Sequence, residues 1–131
     1  YIGPRGSANG LYNADAIHLG CTIVMVEGEL DALSLMTITD EVDIVPVATG
    51  STTGSRVTRW QMRIALAGKV LLAFDTDDAG EQAAHWWRQR LGSKGIRLKP
   101  LRHDVNDMLT SGDNLIEWLQ TGLHVSSRFS A

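Results

Sequence analysis

The sequence predicts an α/β fold, with about four strands in a mainly parallel sheet and helices on both faces. Three observations lead to this prediction. Strand and helix patterns alternate four times along the 131-residue chain. The first three strand segments are apolar throughout, which is typical of parallel strands buried on both faces and covered by helices. The length fits one domain.

Four short runs rich in Val, Ile and Leu are the predicted strands. They lie at residues 22–27, 43–48, 69–74 and 96–101. Ligands of sheets of this kind bind outside the carboxyl ends of the strands. Functional residues are therefore expected directly after each strand.

The helices are predicted from apolar residues at helical spacing. They lie at residues 29–39, 56–67, 79–91, 104–109 and 114–120, the last ending before Gly122. Leu30 and Leu33 are expected to mark the buried face of the first helix. Val57, Trp60 and Ile64 are expected to do the same for the second.

Composition limits the class of protein. There are 12 Lys plus Arg against 15 Asp plus Glu, a net charge of −3, so the overall charge does not indicate a nucleic-acid binder. One cysteine, Cys21, excludes a disulfide within the chain. No apolar run is long enough for a membrane span. The four histidines show no metal-ligand spacing. A cytoplasmic protein without a membrane partner is predicted.

The first residue is Tyr1 and not Met, so the chain is interpreted as a piece of a longer protein. The predicted division is a lead-in at 1–20, a domain at 21–122 and a tail at 123–131.

Acidic residues follow three of the predicted strands. Glu27 ends the first, Asp75 and Asp77 end the third, and Asp104 and Asp107 follow the fourth. These carboxylates are expected to meet at one edge of the sheet, where their mutual repulsion favours binding of a divalent cation. Mg²⁺ held by carboxylates and substrate phosphates is typical of phosphoryl and nucleotidyl transfer.

Each acid also has a structural interpretation. Asp77 or Asp78 can cap the following helix, which contributes about 1 kcal/mol. Asp104 can act in the same way. Glu29 and Asp31 can be first-turn acids favoured by the helix dipole. The joint placement at strand ends is what favours a functional site.

Two segments resemble the motifs of the TOPRIM domain. Residues 23–32 read IVMVEGELDA, an apolar strand followed by Glu-Gly and then Asp three residues after the glycine. Residues 70–80 read VLLAFDTDDAG, in which Asp-x-Asp precedes Ala-Gly. Gly50 matches a glycine often found after the second strand. The resemblance covers roughly residues 21–110 and implies a compact, Rossmann-like fold.

Three features are similar to the primase branch of that family. They are the form Glu-Gly-x-x-Asp-Ala, the Ala-Gly after Asp-x-Asp, and a lead-in with a Leu-Tyr pair at residues 11–12. Residues 103–109, HDVNDML, resemble a further primase segment. The resemblance implies a DNA primase of bacterial, phage or plasmid type. Its expected partners are single-stranded DNA template, NTPs and the remaining domains of the same protein, a helicase among them in primase–helicases.

The resemblance also implies roles for the acids. Glu27 is the expected acid–base residue or a metal-shell carboxylate, and Asp75 and Asp77 are expected to hold Mg²⁺ or Mn²⁺. Asp31 is expected to support Glu27 or to join the metal site, and Asp104 to extend it. Asn106 departs from the family pattern, in which a second Asp is common.

Arg5, Arg56 and Gly50 are the expected nucleic-acid or NTP-binding residues. Gly50 begins a Gly/Ser/Thr loop that lacks the ending of a P-loop. The stripe of Arg56, Arg59 and Arg63 has a second interpretation as a solvated helix flank. The same choice, solvated edge or nucleic-acid track, applies to the six Lys and Arg residues of segment 88–102. Trp86 is expected at the surface beside a partner domain or a base, because Trp87 precludes full burial of both.

Two further functions stay open. One is a TOPRIM nuclease or topoisomerase piece, although neither Tyr1 nor Tyr12 is convincingly placed as a nucleophile. The other is a non-catalytic TOPRIM module that binds DNA or a partner protein. This chain on its own is expected to make little or no primer.

Overall fold

Four parallel strands form one sheet in the computed structural model, which describes residues 10–50 and 56–124. The strands are β1 (Thr22–Val26), β2 (Val45–Ala48), β3 (Lys69–Leu72) and β4 (Gly95–Arg97). Their order in the sheet is β2-β1-β3-β4, and all three pairings are parallel. The predicted sheet is confirmed.

Five α-helices connect or follow the strands in the described residues. They are α1 (Glu29–Met36), α2 (Thr58–Ile64), α3 (Asp78–Leu91), α4 (Val105–Thr110) and α5 (Leu115–Leu123). Two short 3₁₀ turns lie at Ala14–Ala16 and Gly92–Lys94. Every predicted helix and strand is present, with bounds that differ by a few residues.

Both faces of the sheet carry a buried core, because alternate residues of each strand point to opposite faces. Ile23 and Leu72 pack on one face with Ile64 of α2 and Trp87 of α3. The other face has its own cluster, which includes Val24, Leu71, Leu35 of α1, Met108 of α4 and Leu119 of α5. The predicted covering by helices on both faces is confirmed.

The predicted buried face of α1 is wrong. Leu30 is 66% exposed and Leu33 is 46% exposed, whereas Ala32 and Leu35 are fully buried. The helix is rotated so that Asp31, 5% exposed, points inward beside Ala32. Apolar spacing alone misassigned the face, because here an acid occupies part of the inward stripe.

Two other details differ from expectation. Val57 precedes α2 and is half-exposed, so the predicted stripe reaches the core through the buried Ile64 and the partly buried Trp60. Gly122 lies inside α5 and does not end it. A Cβ there would come within 3.1 Å of Leu98 and 3.2 Å of Leu71. This glycine serves close packing on the sheet, and reading it as a stop signal was wrong.

The described part of the lead-in packs onto the domain. Leu11, Ala14 and Ile17 are buried in the same core as the sheet, as is Cys21, and Tyr12 pairs with Ala48 through an antiparallel bridge. The division at residues 20 and 122 stays a prediction. Within residues 10–50 and 56–124, no helix combines the length and apolarity that a membrane crossing requires.

Candidate metal centre

The acids predicted from strand ends lie at the carboxyl edge of the sheet. Glu27 directly follows β1. Asp75 follows β3 after two buried residues, and the N–H of Ala73 still donates to the Met25 carbonyl of β1 at 2.8 Å. Gly50 has a φ of 77°, a conformation that favours glycine, and its N–H donates to the Glu27 carbonyl at 2.8 Å. These hydrogen bonds thus fix the backbone position of Glu27 at the end of β1.

Three carboxylates form what we call the inner cluster: Asp31, Asp75 and Asp104. Each offers an oxygen within 4.8 Å of an oxygen of the other two. Asp31 is buried, and the other two are half-buried. Such a group of oxygen ligands suits a hard divalent cation.

A second group, the outer cluster, consists of Asp75, Asp77 and His103, again with ligand atoms within 4.8 Å of one another. His103 Nε2 lies 3.6 Å from Asp75 Oδ2. Asp77 and His103 are exposed. Sequence reasoning missed His103 as a candidate ligand, because its spacing from the acids along the chain gives no signal and the approach depends on how β3 and β4 end.

Backbone N–H groups hold two acids of the inner cluster in place. Asp31 Oδ1 accepts from the Asn106 N–H at 2.8 Å, which links α1 to α4. Asp104 Oδ1 accepts from the Asp107 N–H at 2.8 Å and caps α4. The Ser34 hydroxyl donates to Asn106 Oδ1 at 3.1 Å. Asp104 therefore acts as a cap while lying in the cluster.

Asp77 is also a cap. Its Oδ1 accepts from the Gly80 N–H at 2.8 Å at the start of α3. The capping interpretation and the cluster interpretation are thus compatible for Asp77, since one oxygen caps the helix and the other remains available. Asp107 belongs to neither cluster and is exposed.

Gly80 explains why Ala-Gly follows the Asp-x-Asp pair. A Cβ on Gly80 would lie 1.9 Å from the Asp75 carbonyl oxygen, far closer than atoms can approach. The first turn of α3 therefore sits directly on the backbone of Asp75. This close approach holds both Asp75 and Asp77 at the edge of the sheet.

Arg97 is a supporting residue that sequence reasoning missed. Its Nη1 donates to the carbonyls of Leu72 and Phe74 at 2.9 and 2.8 Å, and its Nη2 donates to that of Asp75 at 2.9 Å. It also pairs with Glu81 at 3.0 Å and is 11% exposed. The interpretation of segment 88–102 as one solvated edge is wrong at this residue, which orients the chain leading to Asp75.

The electrostatics of the inner cluster are unfavourable in the absence of a cation. Burial, assisted by the charge of Glu27, raises the pKa of Asp75 to about 6. Burial likewise raises the pKa of Asp31 to about 6 and that of Glu27 above its usual range. Asp75 Oδ1 is buried and has no hydrogen-bond partner among the described residues. An unpartnered carboxylate oxygen among raised-pKa acids fits a divalent cation as the missing partner.

An open cavity of about 450 Å³ gives access to this centre. Glu27 and Gly50 line it together with the inner cluster and Asn106. Arg56 does not line it, since its guanidinium lies over the Trp86 ring at 4.7 Å from the centroid. Arg5 lies outside the described residues.

The sequence model of the Toprim-like family matches residues 24–109. The chain belongs to this family. The match spans both acidic motifs and all four strands apart from the first residues of β1, so the resemblance carried by those motifs is confirmed. No curated protein matches the chain.

Two solved structures show the same fold. The primase fragment of the bacteriophage T7 primase–helicase superposes with a TM-score of 0.62 at 20% identity, covering 86% of this chain and 48% of that one. The second match is to a chain of the complex in which the T7 lagging-strand DNA polymerase interacts with primase domains bound to an RNA/DNA hybrid and dTTP. It gives a TM-score of 0.63 at 24% identity, covering 77% of this chain and 54% of that one. The chain thus spans about half the length of the chains it matches.

Proposed function

We propose that this chain is the catalytic core of a DNA primase, which makes RNA primers on single-stranded DNA by metal-dependent nucleotidyl transfer. The observation that carries the proposal is the inner cluster, in which Asp75 lines an open cavity and its buried Oδ1 has no hydrogen-bond partner among the described residues. Membership of the Toprim-like family and the fold shared with a T7 primase fragment support it.

Mg²⁺ or Mn²⁺ is the proposed cofactor, with Asp75, Asp77 and Asp104 as ligands and Glu27 in the metal shell. When bound, the cation neutralises charge on substrate phosphates and lowers the pKa of an attacking oxygen. The residues fit it because each offers a hard carboxylate oxygen, and the buried Asp75 Oδ1 has no hydrogen-bond partner among the described residues. Asp31 belongs to the inner cluster, is held by the Asn106 N–H, and supports Glu27 or joins the metal site.

Glu27 is the proposed acid–base residue. Its pKa is raised by burial and by the charges of Asp77 and Asp31, which brings it closer to the pH at which a carboxylate exchanges protons efficiently. The Gly50 N–H donates to the Glu27 carbonyl and fixes the Glu27 backbone beside the cavity that this residue lines.

The proposed partners follow from the reaction. They are a single-stranded DNA template, NTPs and further domains of the same protein, a helicase among them. Because the chain spans 48% of the T7 primase fragment, robust primer synthesis is expected of the longer protein and not of this chain alone.

The first experiment is a calorimetric titration of the chain with Mn²⁺. We expect binding that disappears in the double variant Asp75→Asn/Asp77→Asn. The matched control is Asp40→Asn/Asp43→Asn, which removes the same two charges from exposed positions outside both clusters. Equal loss of binding in both double variants would contradict a specific centre.

The second experiment tests the reaction in the full-length protein. Primer synthesis from labelled NTPs on single-stranded DNA is expected with Mg²⁺ or Mn²⁺ and is expected to be lost in Asp75→Asn/Asp77→Asn. Metal-dependent nicking of DNA without primer synthesis would instead favour the nuclease function. Full activity of the double variant would leave the non-catalytic module as the better explanation.

A further inference from the structure

Two arginines converge on one tryptophan on the α2–α3 side of the sheet. The guanidinium carbon of Arg56 lies 4.7 Å from the centroid of the Trp86 ring, and that of Arg90 lies 3.7 Å from it. We call these three residues the guanidinium surface. Trp86 is itself held edge-on against the buried Trp87, with ring centroids 4.9 Å apart at 80°. The indole thus provides a fixed base for two cations.

The two guanidinium groups have no carboxylate partner. No ion pair involves Arg56 or Arg90 among the described residues. The segments 1–9, 51–55 and 125–131 contain no Asp or Glu side chain that could supply one. Arg97 differs, since Glu81 and three carbonyls use its donors. Arg90 Nη1 donates to the Trp86 carbonyl at 3.1 Å, and the other donors of the guanidinium surface remain available to an external anion.

The surrounding charge also favours an anion. Residues 56–66 contain three Arg and no acid, and residues 82–94 contain three Lys or Arg and no acid, in a chain whose net charge is −3. These basic residues lie on or next to α2 and α3, whereas Arg97 and Lys99 farther along the chain pair with Glu81. A local basic patch of this kind is typical of surfaces that bind a phosphate-bearing polymer.

Position distinguishes a polymer from a nucleotide. Trp86 lies eight residues after Asp78 in α3, which is about 12 Å along the helix axis. A triphosphate held at the acidic clusters does not span this distance, so the ligand that can occupy both places is a polymer.

We propose that the guanidinium surface binds the phosphodiester backbone of a single-stranded nucleic acid outside the metal centre. Arg56 and Arg90 each present a planar fork of donors that matches phosphate oxygens, and Trp86 holds both forks in place. The choice of nucleic acid as partner rests on the proposed function. The binding itself does not need the metal.

The test is fluorescence anisotropy of a labelled oligo(dT) with the chain, in EDTA and at low salt. The variant Arg56→Gln/Arg90→Gln is expected to bind at least tenfold more weakly. The slope of log affinity against log salt is expected to fall by about 1.4, since each phosphate contact on a single strand contributes about 0.7. The matched control is Arg63→Gln/Arg88→Gln, which removes one charge from α2 and one from α3 outside the guanidinium surface, and we expect a change below threefold.

Equal weakening in both double variants would show non-specific attraction and overturn the proposal, as would absence of oligo(dT) binding to the unmodified chain. Displacement of oligo(dT) by an NTP at equal phosphate concentration would instead assign the surface to triphosphates, which also overturns it. Asp75→Asn/Asp77→Asn is expected to retain oligo(dT) binding in EDTA. Failure of the metal centre and failure of this surface are therefore distinguishable. Circular dichroism melts check that each variant is folded.

Discussion

The inner and outer clusters share Asp75 but differ in how their other members are held. Asp31 and Asp104 receive backbone N–H groups that belong to α4. In the outer cluster, Asp77 receives the Gly80 N–H and His103 is 55% exposed. The inner acids are therefore the more buried, and backbone N–H groups fix two of them, whereas one ligand of the outer cluster is an exposed surface ring.

This difference predicts which cluster dominates cation binding. The pKa of both Asp31 and Asp75 is raised to about 6, so charge in the inner cluster is costly until a cation neutralises it. Preorganised, desolvated ligands lose less entropy on binding than exposed ones. We expect the inner cluster to bind a divalent cation more tightly than the outer one.

The largest effect is expected from a substitution that disrupts both clusters together. In Gly80→Ala the new Cβ would lie 1.9 Å from the Asp75 carbonyl oxygen, so α3 or the Asp75 backbone must move. We expect destabilisation of at least about 3 kcal/mol, the upper part of the range for overpacking, and loss of Mn²⁺ binding. Urea unfolding and calorimetry measure the two effects.

Gly28→Ala is the matched control for that substitution. Gly28 lies in the other acid-bearing loop, has a φ of −100°, and a Cβ there would meet Asp31 Oδ2 at an ordinary 3.4 Å. We expect a change in stability below about 1 kcal/mol. A Gly80→Ala protein as stable as this control would show that the close approach of α3 to Asp75 is not required.

The next effect is the pH dependence of stability in EDTA. A carboxyl whose pKa rises from 3.8 to about 6 on folding binds its proton more tightly in the folded state. Its contribution to the free energy of unfolding is fully present below about pH 4 and is lost as pH rises through 6. The shift of one such group contributes roughly 3 kcal/mol to the free energy of unfolding. Because Asp31 and Asp75 lie in one cluster, we expect the two together to account for a loss of about 3 kcal/mol, not twice that, between pH 4 and 7. Urea unfolding against pH measures it.

Glu81 changes the stability in the opposite direction as pH rises, because Arg97 lowers the pKa of this acid. The useful quantity is therefore the difference between the unmodified chain and Asp75→Asn, which cannot titrate at that position. The variant is expected to be the more stable at pH 7.5 without metal, and Asp40→Asn is expected to match the unmodified chain. An Asp75→Asn protein that is less stable at pH 7.5 would contradict the raised pKa.

Asp31→Asn and Asp77→Asn compare the clusters directly. Each removes one charge, from the inner cluster in the first case and from the outer in the second. We expect Mn²⁺ affinity to fall at least tenfold in Asp31→Asn and about threefold in Asp77→Asn. Calorimetry at pH 7.5 measures both. The reverse order would show that the exposed cluster is the principal site.

The strand-end acids illustrate what could be predicted from the sequence. Glu27 and Asp75 directly follow apolar runs and Asp104 follows the fourth predicted strand. Parallel strands bring such positions to one edge, so local pattern was enough to place them there. Asp31 was foreseen from the motif, but its burial was not, because Leu30 and Leu33 suggested a different inward face. Burial depends on how α1 meets α4, which no local pattern encodes.

Arg97 and His103 show why the rest could not be predicted. Arg97 is sixteen residues from Glu81 along the chain and meets it only because β4 lies beside β3. His103 reaches Asp75 because the Thr76 N–H donates to the His103 carbonyl at 3.0 Å, which joins the two loops. Both contacts depend on long-range pairing, so neither residue type nor spacing announces them.

The smallest expected effect concerns the histidine of the outer cluster. His103→Gln removes an imidazole whose Nε2 lies 3.6 Å from Asp75 Oδ2 but keeps a polar side chain of similar reach. If the inner cluster is the principal site, Mn²⁺ affinity at pH 7.5 is expected to fall by no more than about threefold, and His85→Gln, at an exposed position on α3, is expected to change nothing. A tenfold loss in His103→Gln alone would make the imidazole a principal ligand, because an exposed ring that merely neighbours Asp75 contributes little through solvent. The preference for the inner cluster would then have to be abandoned.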